Sequence, residues 1–258
     1  ETPTETETES ETETEETTEE ETEGPGDPVD REKVETHLII ASDTHYMSPS
    51  MTDYGAAFDS LVNSNDGKVI RYQPQLWQAF KSEVLAANPD ALILSGDLSL
   101  NGEKANHLEF SEKLREIEEA GVPVYVIPGN HDINKPDAGE YFGDQRTDVE
   151  SVTSEEFREI YADFGYNEAK SGAPDSLSYL VELNDTTWLM MLDTTVCEPE
   201  NEVYGEIKEG TLEWMEECLK EAYAEGITVI PVGHHNLQRL SRVYVEECVI
   251  ENCDEVLE

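Results

Sequence analysis

Basic residues are scarce in this chain: 16 Lys and Arg stand against 60 Asp and Glu in 258 residues, a formal net charge of −44. A general nucleic-acid binder displaces counterions with a basic face, and none is on offer here. The same deficit argues against an anionic membrane surface as partner. It does not exclude a small phosphate ester, because a pair of divalent cations would reverse the sign of the potential inside one cleft. No run of about 18 apolar residues is present, so no transmembrane helix is predicted. Cysteine is limited to Cys197, Cys218, Cys248 and Cys253, without C-x-x-C spacing, which argues against a zinc–cysteine site. Cys218 falls in a predicted helix and reads as core, while Cys248 and Cys253 either pair or stay free.

The start of the chain lacks both Met and large apolar residues. Residues 1–23 comprise twelve Glu, nine Thr, one Pro and one Ser. Such a segment cannot bury enough surface to offset the entropy of ordering, and its like charges extend it. Gly24-Pro25-Gly26-Asp27-Pro28 follows as a break. We read residues 1–35 as a disordered acidic tether and residues 36–258 as one domain; the twelve glutamates removed, the remainder still carries −32. The expectation is a mature exported protein, extracellular or tethered to the cell surface, with a signal or lipid anchor upstream of residue 1. A cytoplasmic protein with an acidic extension is the alternative. The sequence does not indicate an oligomeric state.

Beyond the tether the pattern is strand–helix–strand. Residues 36–42 (THLIIAS) read as a first buried strand. A helical stripe over 75–87 (Leu76, Trp77, Phe80, Val84, Leu85) ends at Asn88-Pro89. Residues 91–95 (ALILS) form the next strand. A helix over 103–120 places Leu108, Leu114, Ile117 and Ala120 on one face and ends at Gly121. Residues 122–128 (VPVYVIP) form a third strand. These lengths imply parallel strands with right-handed crossovers. Residues 133–176 are irregular, with one helix near 154–163. Strands 177–183 and 186–193 flank Asn184-Asp185, a hairpin turn. A helix over 210–225 and a strand over 227–232 follow, and 243–258 reads as a final helix. Trp77 and Trp214 lie on helix stripes and read as core, whereas His107 and Arg71 read as surface residues.

Four motifs each follow one of these strands: Asp43-Thr44-His45, Gly96-Asp97, Gly129-Asn130-His131-Asp132 and Gly233-His234-His235. Singly each is a turn or a cap; in this joint order they place carboxylate, amide and imidazole donors where α/β proteins build sites. Asp43, His45, Asp97, Asn130 and His234 form a mixed oxygen and nitrogen donor set, suited to Mn, Fe or Zn rather than Ca. Two ions about 3.5–4 Å apart can share a hydroxide and clamp a phosphoryl group for in-line attack. His131 is the natural proton donor to the leaving group, and Asp132 beside it is expected to hold the imidazole and favour its charged form. His235 reads as a support for the site, Tyr46 as a pocket-lining residue, and Asn101 as a turn residue within reach of substrate.

The order DxH, GD, GNHD and a later HH resembles the calcineurin-like metallophosphoesterase superfamily over nearly all of residues 36–258. The resemblance implies an α/β fold of two facing mixed β-sheets flanked by helices. It implies that Asp43 and His45 bind a first divalent ion, that Asp97 bridges, that Asn130 and His234 bind a second, and that His131 contacts the phosphate. Its implied activity is metal-dependent hydrolysis of small phosphate monoesters or diesters. Similar proteins close the site with a GHxH motif, and no histidine follows His235. The C-terminal part of the domain is therefore expected to be missing. The alternative is a catalytically degenerate, surface-tethered binding module on the same scaffold.

Overall fold

The computed structural model describes residues 28–64, 68–238 and 248–257. The tether expected over 1–35 lies outside the described residues as far as residue 27, as do residues 243–247 and 258 of the expected last helix. Among the described residues, no helix is long and apolar enough to cross a membrane.

The first sheet holds β1 (Leu38–Ala41), β2 (Ala91–Ser95) and β3 (Val124–Ile127), in that order and all parallel. Helices α2 (Gln73–Ala87) and α3 (Lys104–Glu118) provide the crossovers; α1 (Ala56–Ser64) precedes α2. All five residues of β2 are buried, as expected for a parallel strand covered on both faces. The expected buried β1 is instead an edge strand with one open side: Ile40 is 58 % exposed.

The second sheet has the order β6 (Ser171–Gly172), β7 (Tyr179–Asn184), β8 (Thr187–Leu192) and β9 (Thr228–Gly233). β7 and β8 form the predicted hairpin, and β9 runs parallel to β8 because α5 (Glu209–Glu225) carries the chain back across the sheet. Strand alternation then splits β8 between two layers. Trp188, Met190 and Leu192 pack with Trp214, Met215 and Cys218 of α5, while Leu189 and Met191 join the central core with Ile93 and Val126. Tyr179 braces the two sheets, its hydroxyl donating to the Val126 carbonyl at 2.9 Å. The architecture is the expected one of two sheets flanked by helices, with the mixing of strand directions confined, among these strands, to the second sheet. Among the described residues no disulfide is formed, and Cys218 is buried.

Four local expectations are corrected. The irregular region contains a hairpin, β4 (Gly139–Phe142) and β5 (Gln145–Asp148), besides α4 (Ser154–Ile160). All four residues of β5 are polar and exposed, so no apolar alternation marks it. Leu108 is exposed, and the buried face of α3 is built from Asn106, His107, Phe110, Ser111, Leu114 and Ile117. His107, expected at the surface, is fully buried between the Tyr161 hydroxyl and the Asp132 carbonyl. At the C-terminus the described part of the expected helix contains only α6 (Cys253–Leu257); Val249 and Ile250 bridge to Asn236 and Gly205 in extended form.

Residues 28–34 lie against the domain at the end of α5. Arg31 Nε donates to the Glu225 carbonyl, Lys33 Nζ to the Gly226 carbonyl, and the Val34 amide to Thr186 Oγ1. Gly226 caps α5 with φ 68°, and a Cβ there would sit 1.9 Å from the Val29 carbonyl oxygen, so glycine permits this close approach.

Glu118, at the end of α3, accepts from the Val124 amide. Burial, with Glu168 and Asp163 adding, raises its carboxyl from 4.5 to about 7. The folded chain therefore keeps a proton that the unfolded chain releases, and this contribution is full below pH 4.5 and lost as pH rises through about 7. Glu118→Gln is expected to stabilise the protein by about 1 kcal/mol at pH ~8, after allowing for solvent screening, and by almost nothing at pH ~4.5. Urea unfolding of both proteins at the two pH values checks this; equal differences at both would overturn it.

Candidate metal centre

Parallel pairing brings the C-terminal ends of β1, β2 and β3 to one edge, and β9 ends at the same place from the second sheet. All four motifs therefore converge. The chain bends sharply on leaving the strands. Asp43 (φ 56°), His45 (φ 40°) and Asp97 (φ 53°) all occupy the left-handed region, which non-glycine residues seldom adopt and which concentrates at functional sites. The bends are held by the backbone: the Asp43 amide donates to the Gly96 carbonyl and the His45 amide to the Asp97 carbonyl. Gly129 must lack a side chain, since a Cβ would lie 2.3 Å from both the amide nitrogen and Oδ1 of Asp97.

Two donor sets share one carboxylate. His45 Nε2 lies 3.6 Å from Asp43 Oδ1 and 3.5 Å from Asp97 Oδ2, and one donor atom from each of the three residues falls within 4.8 Å of the others. The other oxygen, Asp97 Oδ1, lies 3.5 Å from His234 Nε2, which is 3.3 Å from Asn130 Oδ1. Donors at metal–ligand distances of about 2.0–2.2 Å are separated by roughly 3–4.4 Å, so both sets fit a divalent ion. Tautomers agree. His234 Nδ1 is 2.9 Å from the Ser95 carbonyl, to which it donates, leaving Nε2 bare toward two oxygens. A lone pair facing two oxygens requires a cation or a proton between them. His45 Nδ1 is buried without a partner, which leaves its Nε2 as the atom facing the carboxylates.

The electrostatics are divided. His45 beside it, helped by the Ser42 hydroxyl and opposed by burial, holds Asp43 below the usual carboxylate range. Burial raises Asp97, Asp132 adds to the rise, and His234 and His45 oppose it. Burial, together with Lys68 and Lys135, lowers His131 to about 3.

His131 Nδ1 donates toward the Leu100 carbonyl (3.1 Å) and Asn101 Oδ1 (2.9 Å), and its ring stands edge-on to His45 at 4.9 Å. Asn101 therefore orients His131. Asp132, expected to do so, faces the other way. Its fully buried carboxylate accepts from the Leu98, Ser99 and Gly129 amides at 3.0, 2.8 and 2.9 Å and from the Ser99 hydroxyl at 3.0 Å. It ties the loop after β2 to the loop after β3, and His131 is not its partner. The low proton affinity of His131 likewise replaces the expected charged form. Tyr46 is core rather than pocket lining: it stacks on Phe110, and its hydroxyl donates to Glu109. His235 occupies both nitrogens, accepting from the Thr194 hydroxyl at Nδ1 and donating to the Val203 carbonyl from Nε2, so it supports His234 without being a donor to an ion. Trp77 and Trp214 are buried, and Arg71 pairs with Asp59 at the surface, as expected.

Sequence reasoning missed Lys68, Lys135 and Asn201. Lys135 Nζ donates to Asn201 Oδ1, and Asn201 Nδ2 donates to the carbonyls of Asn130 and Ile133, pinning the motif loop. The position of Lys135, four residues past His131 in a chain poor in bases, was the available signal.

The sequence profile of the calcineurin-like phosphoesterase family matches residues 36–255. No curated protein sequence matches the chain. Among solved structures, a dimetal phosphatase from Danio rerio superposes with a TM-score of 0.54 at 13 % identity, over 86 % of this chain and 76 % of that one. At that identity the likeness is one of fold.

Proposed function

The chain belongs to the calcineurin-like phosphoesterase family, and from that premise we propose that it is a metal-dependent enzyme whose site takes two divalent ions and hydrolyses small phosphate monoesters or diesters. The observation that carries this reading is the division of Asp97, one oxygen to Asp43 and His45, the other to Asn130 and His234. Bound divalent ions would polarise the phosphoryl oxygens and lower the pKa of a water nucleophile. Mn, Fe and Zn all suit the donor set.

The chain's own residues do the rest. Asp43 stays ionised and ready to bind a cation, because its proton affinity is depressed. Asp97 holds its proton more tightly than a free carboxyl because it is buried, so a cation there would compete with protons. His131 presents Nε2, its other nitrogen being fixed by Leu100 and Asn101. A phosphate anion bound there opposes the burial and the lysine charges that keep the ring neutral, and so favours the proton that His131 passes to the leaving oxygen. The charge of the chain disfavours polyanionic substrates, and no general nucleic-acid binding is proposed.

Chelator-treated protein titrated with Mn²⁺ or Zn²⁺ is expected to take up two ions per chain. Its melting temperature should rise, by the equivalent of about 2.7 kcal/mol for a site at a hundred times its Kd. Hydrolysis of an aryl phosphate or a bis-aryl phosphodiester should appear with the metal. Protein that binds neither ion and melts unchanged would overturn the reading.

A further inference from the structure

A cavity of about 560 Å3 opens beside the donor atoms, and its two walls differ in chemistry. Asp43 and His45 form one wall, so the cavity is continuous with the metal centre. The facing wall is apolar: Val69, then Leu76, Trp77 and Phe80 from one side of α2. Trp77 is buried among Phe80 and Phe110, a fixed floor, whereas Leu76 and Val69 are 49 % and 54 % exposed. The walls are tied together by Gln73, whose amide nitrogen donates to the Thr44 carbonyl at 2.6 Å and the His45 carbonyl at 3.2 Å. The first turn of α2 is thus held against the loop that carries Asp43 and His45. Lys68 lines the cavity and lies close enough to His131 to influence its protonation.

We propose that this cavity receives the organic group of the ester, and that the site prefers phosphate esters of aryl or comparable apolar rings to esters of polyols. An apolar wall left open to water beside a catalytic centre, in a chain this rich in carboxylates, gains most when a ring covers it. A polyol would give up hydrogen bonds to water there and find little on the α2 wall to replace them. The inference rests on the phosphoesterase reading for the position of the phosphate; affinity for a neutral ring does not depend on it.

The test uses the full chain in two states. Chelator-treated protein is titrated calorimetrically with 1-naphthol, and metal-loaded protein is assayed on 1-naphthyl phosphate and glycerol 2-phosphate. Leu76→Gln is the probing variant, because Leu76 is half-exposed on a helix and glutamine is a good helix former. Each CH2 equivalent of lost burial lowers affinity about fourfold. The variant is therefore expected to bind naphthol about fivefold more weakly and to lower the naphthyl-to-glycerol ratio of kcat/KM by a similar factor. Comparing ratios between the two proteins cancels the difference in leaving-group reactivity. Naphthol binding that weakens in the variant supports the cavity assignment even if no ester is hydrolysed, an outcome that counts only against the phosphoesterase reading. Hydrolysis of both esters without naphthol binding at millimolar concentration, or with a ratio unchanged by Leu76→Gln, overturns the assignment and leaves the phosphoesterase reading standing.

Discussion

Asp97→Asn is expected to abolish metal-dependent hydrolysis, by about a thousandfold or more in kcat/KM, while leaving the metal-free protein as stable as before or more so. The loss follows from geometry. Among the described residues Asp97 is the one that faces both donor sets, and asparagine offers them a single neutral oxygen and an NH2 group. Losing about 4 kcal/mol of charge stabilisation corresponds to that thousandfold. The stability half follows from burial. The carboxyl of Asp97 has its proton affinity raised, chiefly by removal from water, so the ionised form is penalised in the fold and a neutral amide of the same shape relieves that penalty. Elemental analysis should find no more than one ion per chain, and thermal melts of chelator-treated protein should show no loss. A variant that hydrolyses normally with two ions bound would defeat the shared-ligand assignment.

Asp132→Ala should give the reverse pattern, collapse of the fold with activity lost as a consequence. Its carboxylate is the acceptor for three buried backbone amides and one hydroxyl. Each orphaned buried donor costs about 1–3 kcal/mol, and even with incomplete additivity the sum is about 4 kcal/mol or more. That is a large fraction of the stability of an ordinary domain. Under the same conditions His131→Ala, which removes a partly exposed ring and takes a single donor from the Leu100 carbonyl and Asn101 Oδ1, should melt closer to the parent than Asp132→Ala and lose about 10²–10⁴ in turnover. Circular dichroism melts beside initial rates separate the two. If Asp132→Ala melted like the parent and lost only turnover, Asp132 would have to act on the reaction, as the sequence had suggested.

That contrast shows what a linear sequence can and cannot disclose here. The strand–helix spine was legible because each apolar run ends in a residue type that strands avoid, as in ALILS before Gly96-Asp97. The residues the structure brings together at the centre were legible because ion donors come from few residue types and must stand at strand ends. The direction of a side chain was not. Asp132 adjoins His131 in the chain, yet the turn sends its carboxylate into the protein, where three amides await it. His107 sits among the polar residues of a helix whose predicted apolar stripe leaves it out, and its burial is explained only once Tyr161 and the Asp132 carbonyl are placed. The groups that orient the histidines include the carbonyls of Ser95, Leu100 and Val203, and a carbonyl leaves no mark in a sequence. Hairpin β4–β5 escaped for a related reason, its second strand having no apolar residue.

The two halves of the centre differ in what they hold on to. Asp43, His45 and Asp97 all hang from the first sheet, whereas His234 arrives on β9 from the second and meets Asn130 across 104 residues of chain. An ion in the first set would be a local fastener, tightening bends that the backbone already makes. An ion in the second would be a rivet through two plates, and closing so long a loop removes more freedom from the loosened chain. Stripping that rivet should slacken the seam between the sheets first, so the order in which ions are lost would set the order in which the protein comes apart.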